Sequence, residues 1–265
     1  MIGVFDSGIG GLTVLRWVRQ RLPQAPLLYV ADQRWSPYGA KPSWLLQQRC
    51  DAIADWLIHQ GATLLVVACN TATAHCVEAL RKRLTVVVVG VEPGIKPAAL
   101  GSRTGTIGIL ATENTLASSR YQDLAARFNP NTRILNQPCP HLADAIERGP
   151  DNPDIDRLLH EYVPGLVEAG VDRLVLGCTH YPLVRERIQA LIGSGIRLID
   201  TGEAIAAEVG RRYQSIPGET ASTRLLTTGD AQRLRKLIQA YPSLNAAFSE
   251  ADCAQAPAAL LDGPM

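Results

Sequence analysis

Two cysteines stand in matching surroundings in distant parts of the chain. Each ends an apolar run and is followed by polar side chains: the strings are LLVVACNT from residue 64, which contains Cys69, and LVLGCTH from residue 174, which contains Cys178. An apolar run that ends in polar residues predicts a buried parallel strand leading into a loop, where open α/β sheets bind their ligands. Two thiols in equivalent positions indicate chemistry that needs one base on each side of a substrate.

The polar residues near the two thiols differ in charge. His180 lies two residues after Cys178, and a protonated histidine or a helix N-terminus lowers the pKa of a thiol. Asp6 ends the first predicted strand, and near Cys69 its carboxylate would raise the pKa of that thiol and could take its proton. The six cysteines include no C-x-x-C pair and no spacing typical of a zinc site. We therefore interpret the matched pair as functional.

Two further polar clusters follow predicted strands. The string DSGIGG from Asp6 opens a helix, and its glycines leave backbone N–H groups free to bind an anion. Its spacing fits neither a dinucleotide fingerprint nor a Walker loop. The loop 32–41 contains a Pro-Tyr-Gly turn that either presents Tyr38 or the Gly39 amide to a cleft, or is a surface turn with Trp35 packed on a neighbour.

Strand-like and helix-like segments alternate along the chain, which predicts parallel sheets covered by helices. The predicted strands are Ile2–Phe5, Leu27–Val30, Thr63–Ala68, Thr85–Val89, Thr106–Leu110, Arg133–Leu135, Arg173–Leu176, Arg197–Ile199 and Arg224–Thr227. The predicted helices include Gly11–Arg21, Ser43–Gln60, Thr73–Arg83, Thr115–Arg127, Asp154–Ala169 and Leu183–Ile192.

A second pair of similar strings supports an internal repeat. IGVFDS from residue 2 resembles IGILAT from residue 107, an offset of 105 residues, and the two cysteines are 109 residues apart. We therefore expect two similar α/β domains related by a pseudo-two-fold axis, with the active site in the cleft between them. The predicted domains are 1–92 together with about 207–265, and 93–206.

The composition bounds the class of protein. The chain has 265 residues, of which 46% are hydrophobic and 19% charged, so it can bury the cores of about two domains. Its net charge of +1 gives no reason to expect a nucleic-acid partner. There is no basic leader before an apolar stretch and no run of the roughly 18–20 apolar residues that span a membrane. We therefore expect a cytoplasmic protein with reduced thiols and no membrane partner.

Several strings together resemble those of the bacterial glutamate racemases, in the aspartate/glutamate racemase family. They are FDSGIGGL from residue 5, PYG from 37, ACNTA from 68, GVEP from 90, LGCTHYP from 176 and LIDTG from 198. The matches run in the family's order from residue 2 to about residue 202. Departures at Thr13, Thr73 and Leu116 are mild and touch no residue that is expected to do chemistry.

The resemblance implies racemisation of L- and D-glutamate without pyridoxal phosphate, metal or another cofactor, to supply D-glutamate for peptidoglycan. It implies that Cys69 deprotonates D-glutamate and Cys178 deprotonates L-glutamate. Asp6 would tune the first thiol, and His180 and Glu147 the second, although on spacing alone Glu147 is an ordinary solvated helix residue. The residues that the resemblance places around the substrate are Asp6, Ser7, Pro37, Tyr38, Gly39, Asn70, Thr71, Thr112, Thr115, Thr179 and His180.

Other functions remain open at this point. A racemase of aspartate or of a cyclic amide could share the fold, and a two-lobed ligand-binding protein without enzymatic activity would not need paired thiols. A thiol redox role lacks a C-x-x-C partner. The resemblance also implies a homodimer with glutamate as its small-molecule partner, and the residues neither predict nor exclude binding to DNA gyrase.

Overall fold

The computed structural model describes residues 1–128, 130, 132–215 and 218–261. Ten strands lie in two separate sheets. The strands are β1 (Ile2–Asp6), β2 (Pro26–Ala31), β3 (Leu64–Val67), β4 (Val87–Gly90), β5 (Thr106–Ala111), β6 (Arg133–Pro138), β7 (Arg173–Leu176), β8 (Arg197–Ile199), β9 (Ser222–Thr227) and β10 (Asp252–Gln255).

The two sheets repeat one strand order. The first sheet runs β10-β9-β2-β1-β3-β4 and the second runs β6-β5-β7-β8, and the paired strands are parallel. The order second–first–third–fourth strand therefore occurs twice, with β3 and β7 in equivalent places. The predicted class, parallel sheets flanked by helices, is confirmed.

The predicted domain limits stay a prediction. The strands of the first sheet come from 2–90 and 222–255, and those of the second from 106–199. The parts of the predicted first domain at 216–217 and 262–265 lie outside the described residues.

Helices cover the sheets. Short 3-10 turns at 33–35 and 38–40 connect β2 to the next helix, and a turn at 181–184 follows β7. The helices are α1 (Leu12–Arg21), α2 (Ser43–His59), α3 (Asn70–Arg83), α4 (Ile95–Gly101), α5 (Glu113–Ala117), α6 (Ser119–Ala126), α7 (Leu142–Glu147), α8 (Asp154–Tyr162), α9 (Pro164–Glu168), α10 (Arg185–Ile192), α11 (Gly202–Arg212), α12 (Ala231–Ala240), α13 (Pro242–Phe248) and α14 (Ala258–Leu261).

Two predicted helices are each broken into two. The predicted helix 115–127 stops at Ser118, whose hydroxyl accepts a hydrogen bond from the Tyr121 N–H at 3.2 Å and so caps a new helix. The predicted helix 154–169 breaks before Pro164, which has no N–H to donate and begins the next helix instead. Capping and proline chemistry at these two positions outweigh the continuous helical pattern.

One apolar core connects the two sheets. The largest buried cluster contains Val4 of β1, Leu15 of α1, Leu176 of β7 and Val209 of α11. This shared core packs the two halves against each other, and the loops at the carboxyl ends of β1, β3, β5 and β7 contact one another across the interface.

Candidate active site

A series of hydrogen-bonded side chains begins at Cys178, in the loop that follows β7. His180 Nδ1 lies 3.7 Å from Cys178 Sγ, and His180 Nε2 lies 2.7 Å from Glu147 Oε1. Glu147 is the last residue of α7, and its side chain is only 12% exposed. The expectation from spacing that Glu147 is solvated is therefore wrong, because the end of α7 directs the carboxylate inward to the imidazole.

Each member of the His180–Glu147 pair favours the charged form of the other. Burial acts to lower the pKa of His180, but hydrogen bonds to Cys178 and Glu147 outweigh it and raise that pKa well above its usual value. Burial likewise acts to raise the pKa of Glu147, but hydrogen bonding lowers it overall, first through His180. A charged imidazolium thus lies 3.7 Å from the Cys178 sulfur.

The glycine-rich loop after β1 packs directly against this pair. A Cβ at Gly8 would lie 1.8 Å from Glu147 Oε1, and a Cβ at Gly10 would lie 2.5 Å from His180 Nδ1. Between them, the Ile9 N–H donates to Glu147 Oε1 at 2.6 Å. The exposed amides that the sequence predicts therefore bind a carboxylate of the protein itself, and only glycine leaves room for it.

Cys69 lies on the first-sheet side, where it caps the N-terminus of α3. Its Sγ accepts from the Ala72 N–H at 3.5 Å and lies 3.9 Å from Ser7 Oγ. Ser7 Oγ in turn lies 3.4 Å from Asp6 Oδ1. The Ser7 hydroxyl is thus in reach of both the Cys69 thiol and the Asp6 carboxylate.

The surroundings of Cys69 favour its neutral form. Burial and the nearby Asp6 raise the pKa of Cys69 well above its usual value, and the hydrogen bond from Ala72 opposes them only in part. Burial also raises the pKa of Asp6, against the opposing charge of His180. A helix N-terminus by itself predicts a lower thiol pKa, and here desolvation outweighs it. The contacts of Cys69 therefore favour its thiol form.

Side chains from the two halves meet at Asp6. Its Oδ2 accepts hydrogen bonds from the Gly11 N–H and, at 3.2 Å, from the Thr179 hydroxyl. Thr179 is also held through its backbone carbonyl, which accepts from the Thr13 hydroxyl at 3.0 Å. The loop after β7 is therefore fixed against the end of β1, and it brings the surroundings of the two thiols together.

Three threonine hydroxyls form a second contact between the halves. Thr71 Oγ1, from the start of α3, lies 3.0 Å from Thr112 Oγ1 and 3.3 Å from Thr115 Oγ1. Thr112 and Thr115 are 2.8 Å apart, and Thr112 caps α5. These hydroxyls can donate to a substrate carboxylate at helix N-termini without placing a mobile cation in the site.

Asn70 and Gly39 border the same cluster. Asn70 is buried, and its Nδ2 has no hydrogen-bond partner among the described residues. A buried donor without a partner is costly, so it is available to a bound anion. A Cβ at Gly39 would lie 3.1 Å from the Thr112 side chain, which places the Gly39 backbone against the hydroxyls.

Tyr38 points away from these hydroxyls. Its hydroxyl donates to Asp32 Oδ2 at 2.6 Å and the residue is buried, so its side chain is not presented to the cleft, whereas Trp35 does pack on a neighbour as the alternative expects. The Arg49 guanidinium binds both oxygens of Asp32, at 2.7 and 3.1 Å, and its carbon lies 5.1 Å above the Trp35 ring. This buried ion pair holds the loop 32–41, and a contribution of Tyr38 to substrate binding would have to come from its backbone.

Pro37 precedes the 3-10 turn at 38–40, with no side-chain hydrogen bond of its own. Its predicted contact with substrate stays a prediction, as do the other assigned roles.

Sequence reasoning missed three residues that organise the site. Gln33 Nε2 donates to Glu147 Oε2 at 2.9 Å, and the Asn114 side chain donates to the Lys41 carbonyl at 2.8 Å. Arg49 could have been found, because it lies among the apolar, buried face of α2 at helical spacing from Leu46 and Ile53. Gln33 carries no such signal within its polar loop.

Comparison with known proteins relates this chain to a family. The model of the Asp/Glu/Hydantoin racemase family matches residues 13–209. The glutamate racemase of Cupriavidus pinatubonensis is 45% identical over 245 residues, which cover 90% of each chain.

Solved structures of similar fold point the same way. Escherichia coli glutamate racemase, in complex with L-glutamate and the activator UDP-MurNAc-Ala, is 32% identical with a TM-score of 0.82 over 96% of each chain. The Francisella tularensis enzyme, in complex with D-glutamate, is 25% identical with a TM-score of 0.80 over 97% of each chain.

Proposed function

The chain belongs to the Asp/Glu/hydantoin racemase family, and from this premise we propose that it interconverts L- and D-glutamate with two thiols. The observation that carries the proposal is the unequal pair of cysteines at equivalent strand ends. Cys178 lies 3.7 Å from the imidazole of His180, whose pKa is raised well above its usual value, whereas burial and Asp6 raise the pKa of Cys69 and favour its thiol. One sulfur is thus prepared to accept a proton and the other to donate one.

The reaction from L- to D-glutamate uses that starting state. The Cys178 thiolate takes the Cα proton, and the electron pair of the C–H bond moves onto Cα and its carboxylate. The Cys69 thiol then gives its proton to the opposite face of Cα. The protein ends with a Cys178 thiol and a Cys69 thiolate, which is the state that the reverse reaction requires.

Different polar residues bind the carboxylates and the ammonium group of the substrate. The carboxylates would accept hydrogen bonds from the Asn70 amide and from the hydroxyls of Thr71 and Thr112, all near helix N-termini. The ammonium group would lie near the Asp6 carboxylate. A cation there counters the charge that raises the pKa of Cys69, so substrate binding itself helps to form the Cys69 thiolate for D-glutamate.

The biological setting follows from the same proposal. The enzyme would supply D-glutamate for peptidoglycan from the cytoplasm, as a homodimer. Among the described residues, the helices are too short or too polar to cross a membrane.

Circular dichroism of purified protein with each enantiomer tests the proposal. We expect L- and D-glutamate to lose their optical signals at equal final ratios, and L-aspartate to turn over at least about 100-fold more slowly, because its side chain is one methylene too short to bridge both sets of donors. Comparable turnover of aspartate would assign the chain to a neighbouring racemase. If neither turnover nor exchange of the Cα proton were detected, a ligand-binding protein without enzymatic activity would be favoured.

A further inference from the structure

We propose that Gln33, oriented by Thr227, is a positioning residue that holds the Glu147 carboxylate against His180 and thereby supports the Cys178 half of the reaction. The inference rests on the proposed two-thiol racemase function. Neither residue touches a thiol, and both belong to the first-sheet side, whereas Glu147 lies on α7 of the other side.

A directed series of hydrogen bonds fixes the Gln33 amide. The Gly229 N–H donates to Thr227 Oγ1 at 2.9 Å, and the Thr227 hydroxyl donates to Gln33 Oε1 at 2.8 Å. An ionised carboxylate can only accept, so the Nε2 group of Gln33 faces Glu147 and Oε1 faces the Thr227 hydroxyl. The Nε2 group donates to Glu147 Oε2 at 2.9 Å.

Gln33 completes the binding of the Glu147 carboxylate. Oε1 accepts from the Ile9 N–H at 2.6 Å and from His180 Nε2 at 2.7 Å, whereas Oε2 accepts from Gln33. The two Glu147 oxygens therefore have separate donors. Loss of the donor at Oε2 removes the hydrogen bond that holds this oxygen and frees the carboxylate to rotate away from the imidazole.

The space for such a rotation exists. Gln33 and Glu147 line a cavity of about 470 Å³, together with Gly229 and Arg233. A Gln33 side chain without Thr227 to hold it can swing into this cavity. Thr227 is fully buried at the end of β9, and its hydroxyl bonds both Gln33 and the Gly229 N–H.

Several titratable groups also face the His180–Glu147 pair, whereas Gln33 does not titrate. They are Asp6, Tyr29, Asp144, Arg148, Arg233 and Tyr241. Substitution of Gln33 or Thr227 by an uncharged residue leaves these groups in place. A change in the exchange rate then results from loss of the hydrogen bond to Glu147 and not from a change in the surrounding charges.

The test separates the two half-reactions. Enantiomers have equal free energy, so kcat/KM is the same in both directions for any variant and cannot reveal an effect on one thiol. Deuterium exchange at Cα in D₂O can. In a Cys69→Ser background only Cys178 can exchange L-glutamate, and in a Cys178→Ser background only Cys69 can exchange D-glutamate.

We expect Thr227→Val to slow L-glutamate exchange about 10- to 100-fold in the first background and to change D-glutamate exchange less than about twofold in the second. Gln33→Met should do the same, and Thr227→Ser should restore exchange because it keeps the hydroxyl. Thr223→Val is the matched control: it lies at the other end of β9, where its hydroxyl accepts from Arg19 Nε at 3.2 Å.

A second measurement uses the enzyme with both thiols. Loss of the Gln33 donor raises the pKa of Glu147, which in turn lowers the pKa of His180. We therefore expect the alkaline limb of the pH profile of kcat/KM to move to lower pH in Thr227→Val. The limb should not move in Thr223→Val. The role of Gln33 would be overturned if Thr227→Val slowed exchange of both enantiomers equally. It would also be overturned if neither exchange rate changed and the alkaline limb did not move. Failure of the wild-type protein to racemise glutamate at all would instead overturn the proposed function.

Discussion

His180 Nε2 lies 2.7 Å from Glu147 Oε1, so that an ion pair between the turn after β7 and the end of α7 stands directly behind a cysteine. Both side chains are largely buried, and each shifts the pKa of the other toward the charged form. The pair distinguishes the two halves of an otherwise repeated fold, because the equivalent Cys69 has a serine and a carboxylate as neighbours instead.

The first prediction concerns the stability that this pair contributes at different pH. The lowered pKa of Glu147 means that its contribution is present above about pH 4.3 and is lost as pH falls through the lowered value. The raised pKa of His180 means that its contribution is present below about pH 6.5 and is lost as pH rises through the raised value. Both contributions are complete between these limits.

Glu147→Gln should therefore lower the free energy of unfolding by about 1.5–3 kcal/mol in that window. The deficit relative to wild type should shrink as pH rises, because the wild-type protein then loses its imidazolium. Urea unfolding at a series of pH values measures both effects. A deficit that stays constant across the range would mean that the pair is not charged.

The second prediction concerns the space at the glycine loop. Gly8→Ala places a Cβ within bonding distance of Glu147 Oε1 and must displace that carboxylate. We expect a loss of kcat of about 100-fold or more, since a shift of about 1 Å near a reacting group has this effect. Gly165→Ala is the control, because its Cβ would meet nothing within 4 Å and should leave activity unchanged. Wild-type kcat in Gly8→Ala would contradict the tight packing of Glu147.

The third prediction concerns the buried Asp32–Arg49 pair. Arg49→Ala leaves the Asp32 carboxylate without its cation in the interior, which should cost about 3–5 kcal/mol of unfolding free energy. The loosened loop 32–41 should also raise the KM for glutamate, because Gly39 borders the threonine hydroxyls. Arg211→Ala, which breaks an exposed pair with Glu208, should change stability by less than about 1 kcal/mol. Equal free energies of unfolding for the two variants would contradict a stabilising role of Arg49.

The sequence predicts the sheets of this fold better than its helix limits. Continuous apolar runs define β1, β3, β5 and β7 within one or two residues, because strands buried on both faces show no other pattern. The sequence does not predict the short strand β10, DCAQ, because it is an edge strand with exposed polar ends and lacks such a run. Ser118 and Pro164 divide helices that periodicity alone would join.

The site divides in the same way. Cys69 and Cys178 could be found because each follows an apolar strand, and their strands occupy equivalent positions in the two sheets. Glu147 and Gln33 could not be assigned from local pattern, because their contacts join segments far apart in the chain. Only tertiary packing decides that a polar residue at a helix end or in a loop faces inward.

The most direct test of the two-thiol mechanism is Cα proton exchange by Cys69→Ser and Cys178→Ser in D₂O, measured with each enantiomer alongside racemisation. We predict that each variant loses racemisation by about 100-fold or more. Cys69→Ser should retain exchange of L-glutamate only, and Cys178→Ser of D-glutamate only. Racemisation at the wild-type rate by both variants, or exchange of both enantiomers by either one, would contradict two opposed thiols that each serve one enantiomer.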